Sequence, residues 1–170
     1  MDGGSAKNLS KAKISSIPDE AYTGKAVKPG LTVTHNGRKL AAKNYTLTYK
    51  NNVKIGTATV TVKGKGDYTG SVSKKFKIVP GKAALHKLNA GKNSVTVQIK
   101  KQSGGVAYQI QYKRKGSKAA YKSVYSNTPK AVIQKLDAKQ TYAVRVRAYK
   151  KIGKKTYNGK FSAVKYQKTK

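Results

Sequence analysis

The chain has 170 residues, contains neither Cys nor Trp, and carries 38 basic against five acidic residues, a formal net charge of +33. The absence of Cys excludes disulfides and thiolate metal ligands, so one domain or two small ones must fold on apolar packing alone. No apolar run reaches the length of a membrane span, so we expect no membrane-spanning segment. Residues 1–7 are expected to be a tag-like or flexible N-terminus.

Alternating apolar residues predict strands in the first half of the chain. Residues 45–49 (YTLTY) and 57–62 (TATVTV) alternate with a period of two, and Phe76 and Ile78 continue the pattern. The pair Asn36-Gly37 lies between such segments and predicts a hairpin, because both residues accept a positive φ. No window shows the periodicity of an amphipathic helix.

A domain boundary is predicted near Pro80-Gly81, where a strand ends and a short hinge follows. The strand pattern then restarts at residues 94–100, 107–113, 130–136, 142–149 and 162–168. Short strands separated by turns indicate a β-sandwich. The predicted fold class is all-β, with two consecutive β-sandwich domains at residues 8–80 and 81–170.

The positive charge is concentrated in the second predicted domain. Residues 1–80 hold 15 basic and four acidic residues, a net of +11, and residues 81–170 hold 23 basic and one acidic, a net of +22. Only four of the basic residues are Arg: Arg38, Arg114, Arg145 and Arg147. Lys is a hydrated point charge, which favours diffuse attraction of polyanions over shaped recognition. The alternative is that scattered Lys only keeps strand edges soluble.

The second half resembles a fibronectin type III domain. Residues 108–112 (YQIQY) are similar to its third strand. Residues 136–149 (LDAKQTYAVRVRAY) are similar to its sixth strand and the turn before it, and residues 161–164 (FSAV) to the start of its last strand. Leu136 and Tyr142 have the spacing of the tyrosine corner, in which the Tyr hydroxyl bonds back to the preceding turn. The Trp commonly found on the second strand is absent, and we expect Ile99 in its place.

The first half resembles an immunoglobulin-like repeat of surface proteins from Gram-positive gut bacteria of Firmicutes type. The similar segments are residues 22–25 (YTGK), 45–52 (YTLTYKNN), 56–62 (GTATVTV) and 63–70 (KGKGDYTG). The two resemblances together imply a non-catalytic structural or adhesive module, extracellular and located at the cell wall or cell surface. We expect a monomer that spaces or anchors a larger protein and attracts anionic wall polymers, host glycans or glycoproteins through its Lys. The alternative is a nucleic-acid-binding protein that uses nonspecific electrostatics.

The sequence offers little material for catalysis or for a metal site. Acids are scattered over the tail, loops and turns: Asp2, Asp19, Glu20, Asp67 and Asp137. His35 and His86 lie in different predicted domains. A catalytic pair or a metal centre needs several such groups close together. We therefore expect no catalytic residue, no metal and no cofactor, and an enzyme fragment is disfavoured.

A binding surface is predicted on one sheet face of the second domain. Strand alternation directs Arg145, Arg147 and Tyr149 outward, and neighbouring strands are expected to add polar groups on the same face. The candidate binding residues are Arg145, Arg147, Tyr149, Gln109, Gln111, Lys113 and Lys165. They predict a shallow basic platform, and the alternative is an ordinary solvated sheet face. Rings in or near predicted loops are candidates for stacking on sugars: Tyr121, Tyr125 and Tyr157.

Overall fold

The computed structural model describes residues 6–170 and divides the chain into two compact units, one ending at Ile78 and the other running from Val79 to Lys170. The described residues form strands and two short 3-10 helices, with no α-helix among them. The predicted all-β sandwich class is confirmed. Of the segment expected to be a tail, residues 1–5 lie outside the described residues, and Lys7 begins the first strand.

The first unit contains short strands and two longer ones. They are β1 (Lys7–Asn8), β2 (Lys13–Ile14), β3 (Glu20–Ala21), β4 (Val33–His35), β5 (Arg38–Lys39), β6 (Tyr45–Lys50), β7 (Gly56–Gly64), β8 (Tyr68–Thr69) and β9 (Ser71–Val79). The 3-10 helices cover Leu9–Lys11 and Ala42–Asn44. One sheet has the order β3-β9-β7-β6, a second has the order β2-β4-β5, and β1 pairs with β8 in parallel.

The strand β7 forms the centre of the first unit's core. Its alternation buries Ala58, Val60 and Val62, as the period of two predicts. Glu20 lies in β3, whereas the acids were expected only in the tail, loops and turns. The predicted Asn36-Gly37 hairpin is confirmed, because both residues have positive φ, 47° and 76°, and join β4 to β5.

The second unit is a sandwich of two antiparallel sheets. Its strands are β10 (Leu85–Gly91), β11 (Ser94–Ile99), β12 (Ala107–Arg114), β13 (Lys122–Ser126), β14 (Lys130–Ile133), β15 (Thr141–Ile152), β16 (Lys155–Asn158) and β17 (Lys165–Lys168). The three-stranded sheet has the order β10-β11-β14. The five-stranded sheet has the order β13-β12-β15-β16, with β17 also paired to β15. Residues of both sheets share one core, which includes Val97, Ile99, Ile110, Val144 and Val146.

The predicted tyrosine corner is present in the second unit. The backbone N–H of Asp137 donates to the Tyr142 hydroxyl over 3.0 Å, and Leu136 is buried beside it. Ile99 is buried in the core, as expected for the position that Trp commonly occupies. These contacts fix the turn before β15, the strand that carries Arg145 and Arg147.

Some strand limits differ from the predicted ones for local reasons. The predicted strand at 130–136 ends at Ile133, because Lys135 adopts a positive φ of 56° that no strand accommodates. Strand β10 was not predicted, and its register shifts between Leu85 and Lys87, so its alternation is broken. Strands β13 and β16 were also missed, since polar residues dominate both.

Candidate functional site

The candidate site is the outer face of the five-stranded sheet, the side turned away from the core residues Ile110, Val144 and Val146. Antiparallel partners share a side of a sheet, so the register assigns each residue to a face. The centre of the outer face is formed by Gln109, Gln111, Lys113, Arg145, Arg147 and Tyr149. Lys151 extends this row along β15, and neighbouring strands add Ser123, Tyr125, Asn158 and Tyr166.

Two glutamines of β12 hold the two arginines of β15. Gln111 pairs with Arg145 and Gln109 pairs with Arg147 in the strand register. Arg145 donates from Nε and Nη2 to Oε1 of Gln111 over 2.9 and 2.7 Å. Arg147 donates from Nε to Oε1 of Gln109 over 2.6 Å. The guanidinium planes are therefore oriented by neutral acceptors, and their positive charge is not cancelled by these partners.

The arginines also stack on aromatic rings to form what we call the cation–aromatic ladder: Tyr121, Arg145, Phe161 and Arg147. The guanidinium carbon of Arg145 lies 4.3 Å from the ring centroid of Tyr121 and 4.3 Å from that of Phe161. That of Arg147 lies 4.6 Å from Phe161. Such distances are within the range of attractive cation–π contacts. The ladder orders both arginines before any ligand binds.

Phe161 is held in the ladder by the residue that follows it. Ser162 donates its backbone N–H to the Val146 carbonyl over 2.7 Å, and its hydroxyl accepts the Val146 N–H over 3.1 Å. The Ser162 hydroxyl thus takes the place of the backbone carbonyl that would accept the Val146 N–H in a regular pair of strands. For this reason β17 begins only at Lys165, whereas a strand from residue 162 was predicted. The only sequence signal for Phe161 was its place at the start of the last strand.

A shallow depression of about 510 Å³ lies beside the ladder. Its lining includes Gln109, Tyr125, Arg147, Tyr149, Lys151 and Asn158. The rings of Tyr125 and Tyr149 meet edge to face, with centroids 5.8 Å apart and an interplanar angle of 85°. Tyr125 is 60% exposed and lies in β13, whereas Tyr157 is buried in β16. Both rings, expected in or near loops, lie in strands one residue before the strand ends, and of the two only Tyr125 is accessible.

The structure brings together all the predicted site residues except Lys165. That residue pairs with Val144 and therefore lies on the inward side of the sheet. Its Nζ donates to the carbonyl of His86 in β10 over 3.3 Å. The prediction placed Lys165 on the outer face, which is wrong because the register differs by one residue. Tyr166, opposite Ala143, faces outward instead.

The electrostatic character of the outer face is strongly positive. The only acid between residues 81 and 170 is Asp137, and its carboxylate accepts the Tyr142 hydroxyl at 3.3 Å in the turn before β15. No acidic side chain therefore faces outward from the sheet. Within residues 6–170 we found no cluster of three or more His, Asp or Glu arranged to hold a metal ion. No helix in this part of the chain has the length and apolar character required to cross a membrane.

Comparisons with known proteins define the family. Residues 80–170, more than half of the chain, match the family model described as "Cytokine receptor-like factor 2-like, D2 domain". The chain belongs to this family. A solved structure described as "Cytokine receptor complex - Crystal form 1A" includes a chain that is similar in fold, with a TM-score of 0.55 and 17% identity. The match covers 81% of this chain and 90% of that one. No curated protein matches the sequence.

The family corrects several expectations. The fold is of the fibronectin type III and immunoglobulin type, as the sequence resemblances implied. The expected role as a bacterial structural or adhesive module is wrong, because the matching family is cytokine receptor-like. The expected partners, wall polymers and host glycans, and the expected cell-wall location are wrong for the same reason. The alternative of a nucleic-acid-binding protein is not supported either. Cytokine receptor-like domains are typically non-enzymatic.

Proposed function

We propose that the chain is a non-enzymatic protein-recognition module that binds a protein partner of cytokine type through the outer face of its second unit. The observation that carries this proposal is the cation–aromatic ladder together with the tyrosine pair beside it. Residues 8–80 serve in this proposal as an immunoglobulin-like domain and residues 81–170 as the fibronectin type III-like domain that makes the contact.

The composition of the outer face supports protein recognition. Tyr, Phe and Arg are the residue types enriched in the centres of protein interfaces, where a few of them supply most of the binding energy. Tyr125 offers an exposed ring, and Arg145 and Arg147 are already ordered by Gln111 and Gln109. Side chains ordered before binding lose less conformational entropy when the partner arrives.

The charge of the face specifies the kind of protein surface that fits it. Positive groups without acidic neighbours attract an acidic surface, accelerate its encounter and disfavour basic partners. The cytokine partner is therefore expected to present acidic residues around an apolar centre. Of the residues predicted from sequence, this proposal uses Arg145, Arg147, Tyr149, Gln109, Gln111 and Lys113.

The test is a binding measurement against a panel of purified cytokines with acidic and basic surfaces. We expect one or more acidic members to bind at physiological salt. Tyr125→Ala combined with Tyr149→Ala should raise Kd by about tenfold or more, as loss of a hot-spot pair does. The matched control is Arg38→Gln in the first unit, which should leave Kd unchanged. Binding that is equally strong for the double variant would contradict the proposal.

A further inference from the structure

We infer that the depression beside the ladder is a carboxylate-binding subsite, in which Arg147 and Lys151 receive an Asp or Glu side chain of the protein partner. This inference rests on the proposed function and deepens it, since it names the chemical group recognised. The lining of the depression combines two cations, two tyrosine rings and neutral polar groups.

The hydrogen bonds of Arg147 leave part of its guanidinium available. Its Nε is bound to Gln109, and its plane is packed against Phe161. Among the described residues, neither terminal nitrogen of Arg147 has a hydrogen-bond partner. A guanidinium that is fixed through its Nε and its plane, and whose two terminal NH₂ groups have no partner, can donate to both oxygens of a carboxylate.

The neighbouring Arg145 provides an internal comparison. It uses Nε and Nη2 on Gln111 and is enclosed between the rings of Tyr121 and Phe161. It does not line the depression. The two arginines therefore have different roles. Arg145 is a positioning residue of the ladder, and Arg147 is the residue that contacts the ligand.

Lys151 and the tyrosine pair complete the subsite. Lys151 is exposed on β15, two residues beyond Tyr149 and therefore on the same face. Its ammonium group adds a second positive charge without a fixed geometry. Tyr125 and Tyr149 offer apolar ring surface to the methylene groups that carry a carboxylate. The subsite thus selects an acidic side chain over a bare anion.

The experiment uses the whole chain and two capped peptides, acetyl-Leu-Glu-Leu-amide and its glutamine counterpart acetyl-Leu-Gln-Leu-amide. Side-chain NMR signals of the arginine Nε–H groups report on each arginine separately. We expect the glutamate peptide to shift the Arg147 signal saturably and to leave the Arg145 signal nearly unchanged. The glutamine peptide should bind at least about tenfold more weakly, the effect of losing a charge-assisted pair.

Two variants make the test independent of folding defects. Arg147→Gln should abolish the preference for the glutamate peptide. Lys151→Gln leaves the ladder intact and should weaken glutamate-peptide binding by about threefold, as for one exposed charge. Arg38→Gln is the matched control and should change nothing. Equal binding of the two peptides, or an unchanged preference in both the Arg147 and the Lys151 variants, would overturn the inference.

The outcome is separable from that of the proposed function. A peptide preference without cytokine binding would support the subsite and refute the cytokine partner. Cytokine binding that depends on Tyr125 and Tyr149, with no peptide preference and no effect of Arg147→Gln, would refute the subsite and leave protein recognition standing.

Discussion

Arg145 and Gln111 lie directly opposite each other on β15 and β12, and one amide oxygen of Gln111 accepts two hydrogen bonds from the guanidinium. This pairing orients the arginine between two aromatic rings and links the two central strands of the sheet. The same arrangement recurs one step along the strands with Gln109 and Arg147. The stability of this sheet and the proposed recognition therefore depend on the same row of side chains.

Replacement of Gln111 with Leu should destabilise the second unit. The half-buried guanidinium of Arg145 would lose both hydrogen bonds to Gln111 Oε1. Unpaired donors of this kind cost about 1–3 kcal/mol. Urea unfolding followed by tyrosine fluorescence measures the change. Gln134→Leu, at an exposed position, is the matched control. If both variants lose the same stability, the hydrogen bonds to Arg145 are not important for the fold.

The tyrosine corner gives a second stability prediction. Tyr142→Phe removes the acceptor of the Asp137 N–H and should lower the free energy of unfolding by about 1 kcal/mol. Tyr166→Phe, at a residue that is 57% exposed, should have almost no effect. Thermal or urea unfolding of both variants checks the difference. A Tyr142 variant as stable as the Tyr166 variant would contradict this account of the turn.

A glycine of the second unit is required by close backbone contact. A Cβ at Gly159 would lie 2.6 Å from the Pro80 carbonyl oxygen and 2.8 Å from that of Gly81. Gly159→Ala should therefore destabilise the unit by about 1–3 kcal/mol, the usual effect of overpacking. At Gly81 the nearest atom to a Cβ is 4.0 Å away, so Gly81→Ala is the control in the same region. Differential scanning calorimetry should show a lower Tm for the first variant only.

Tyr49 gives a pH prediction for the first unit. Burial, with a smaller effect from the nearby Tyr45, raises the pKa of the Tyr49 hydroxyl above its ordinary value of 10.0. The folded state thus favours the protonated form, so the stabilisation is full below the unfolded pKa and is lost as pH rises through the folded pKa. Tyr49→Phe should therefore show a smaller alkaline loss of stability in urea unfolding. An identical pH profile for both proteins would refute the shift.

The alternation of residues made the composition of the outer face largely predictable. A period of two is sufficient to direct Arg145, Arg147 and Tyr149 away from the core, since Val144 and Val146 must be buried. The register, which decides which residues of two strands lie opposite each other, is not determined by this local alternation. The pairing of Lys165 with Val144 depends on contacts between distant segments. An error of one residue in the predicted register placed Lys165 on the outer face, where the structure has Tyr166.

The ladder was not predictable from local patterns. Tyr121 and Phe161 lie outside the strands, and 40 positions separate them in the sequence. Phe161 meets Arg145 because Ser162 bonds to Val146 and fixes the chain beside β15. Tyr121 directly precedes β13, which pairs with β12. The depression also depends on β13 and β16, two strands whose polar composition gave no alternating signal. Long-range contacts of this kind appear only when the sheet is assembled.

The most direct test of the proposed recognition is site-specific photo-cross-linking to a cytokine that binds the chain. A photoreactive phenylalanine analogue is placed at Tyr125 on the outer face, or at Val132, which is 43% exposed on the three-stranded sheet. We expect an adduct with the cytokine from position 125 and none from position 132. An adduct from position 132 in equal or higher yield would contradict it, because the partner would then contact the opposite sheet.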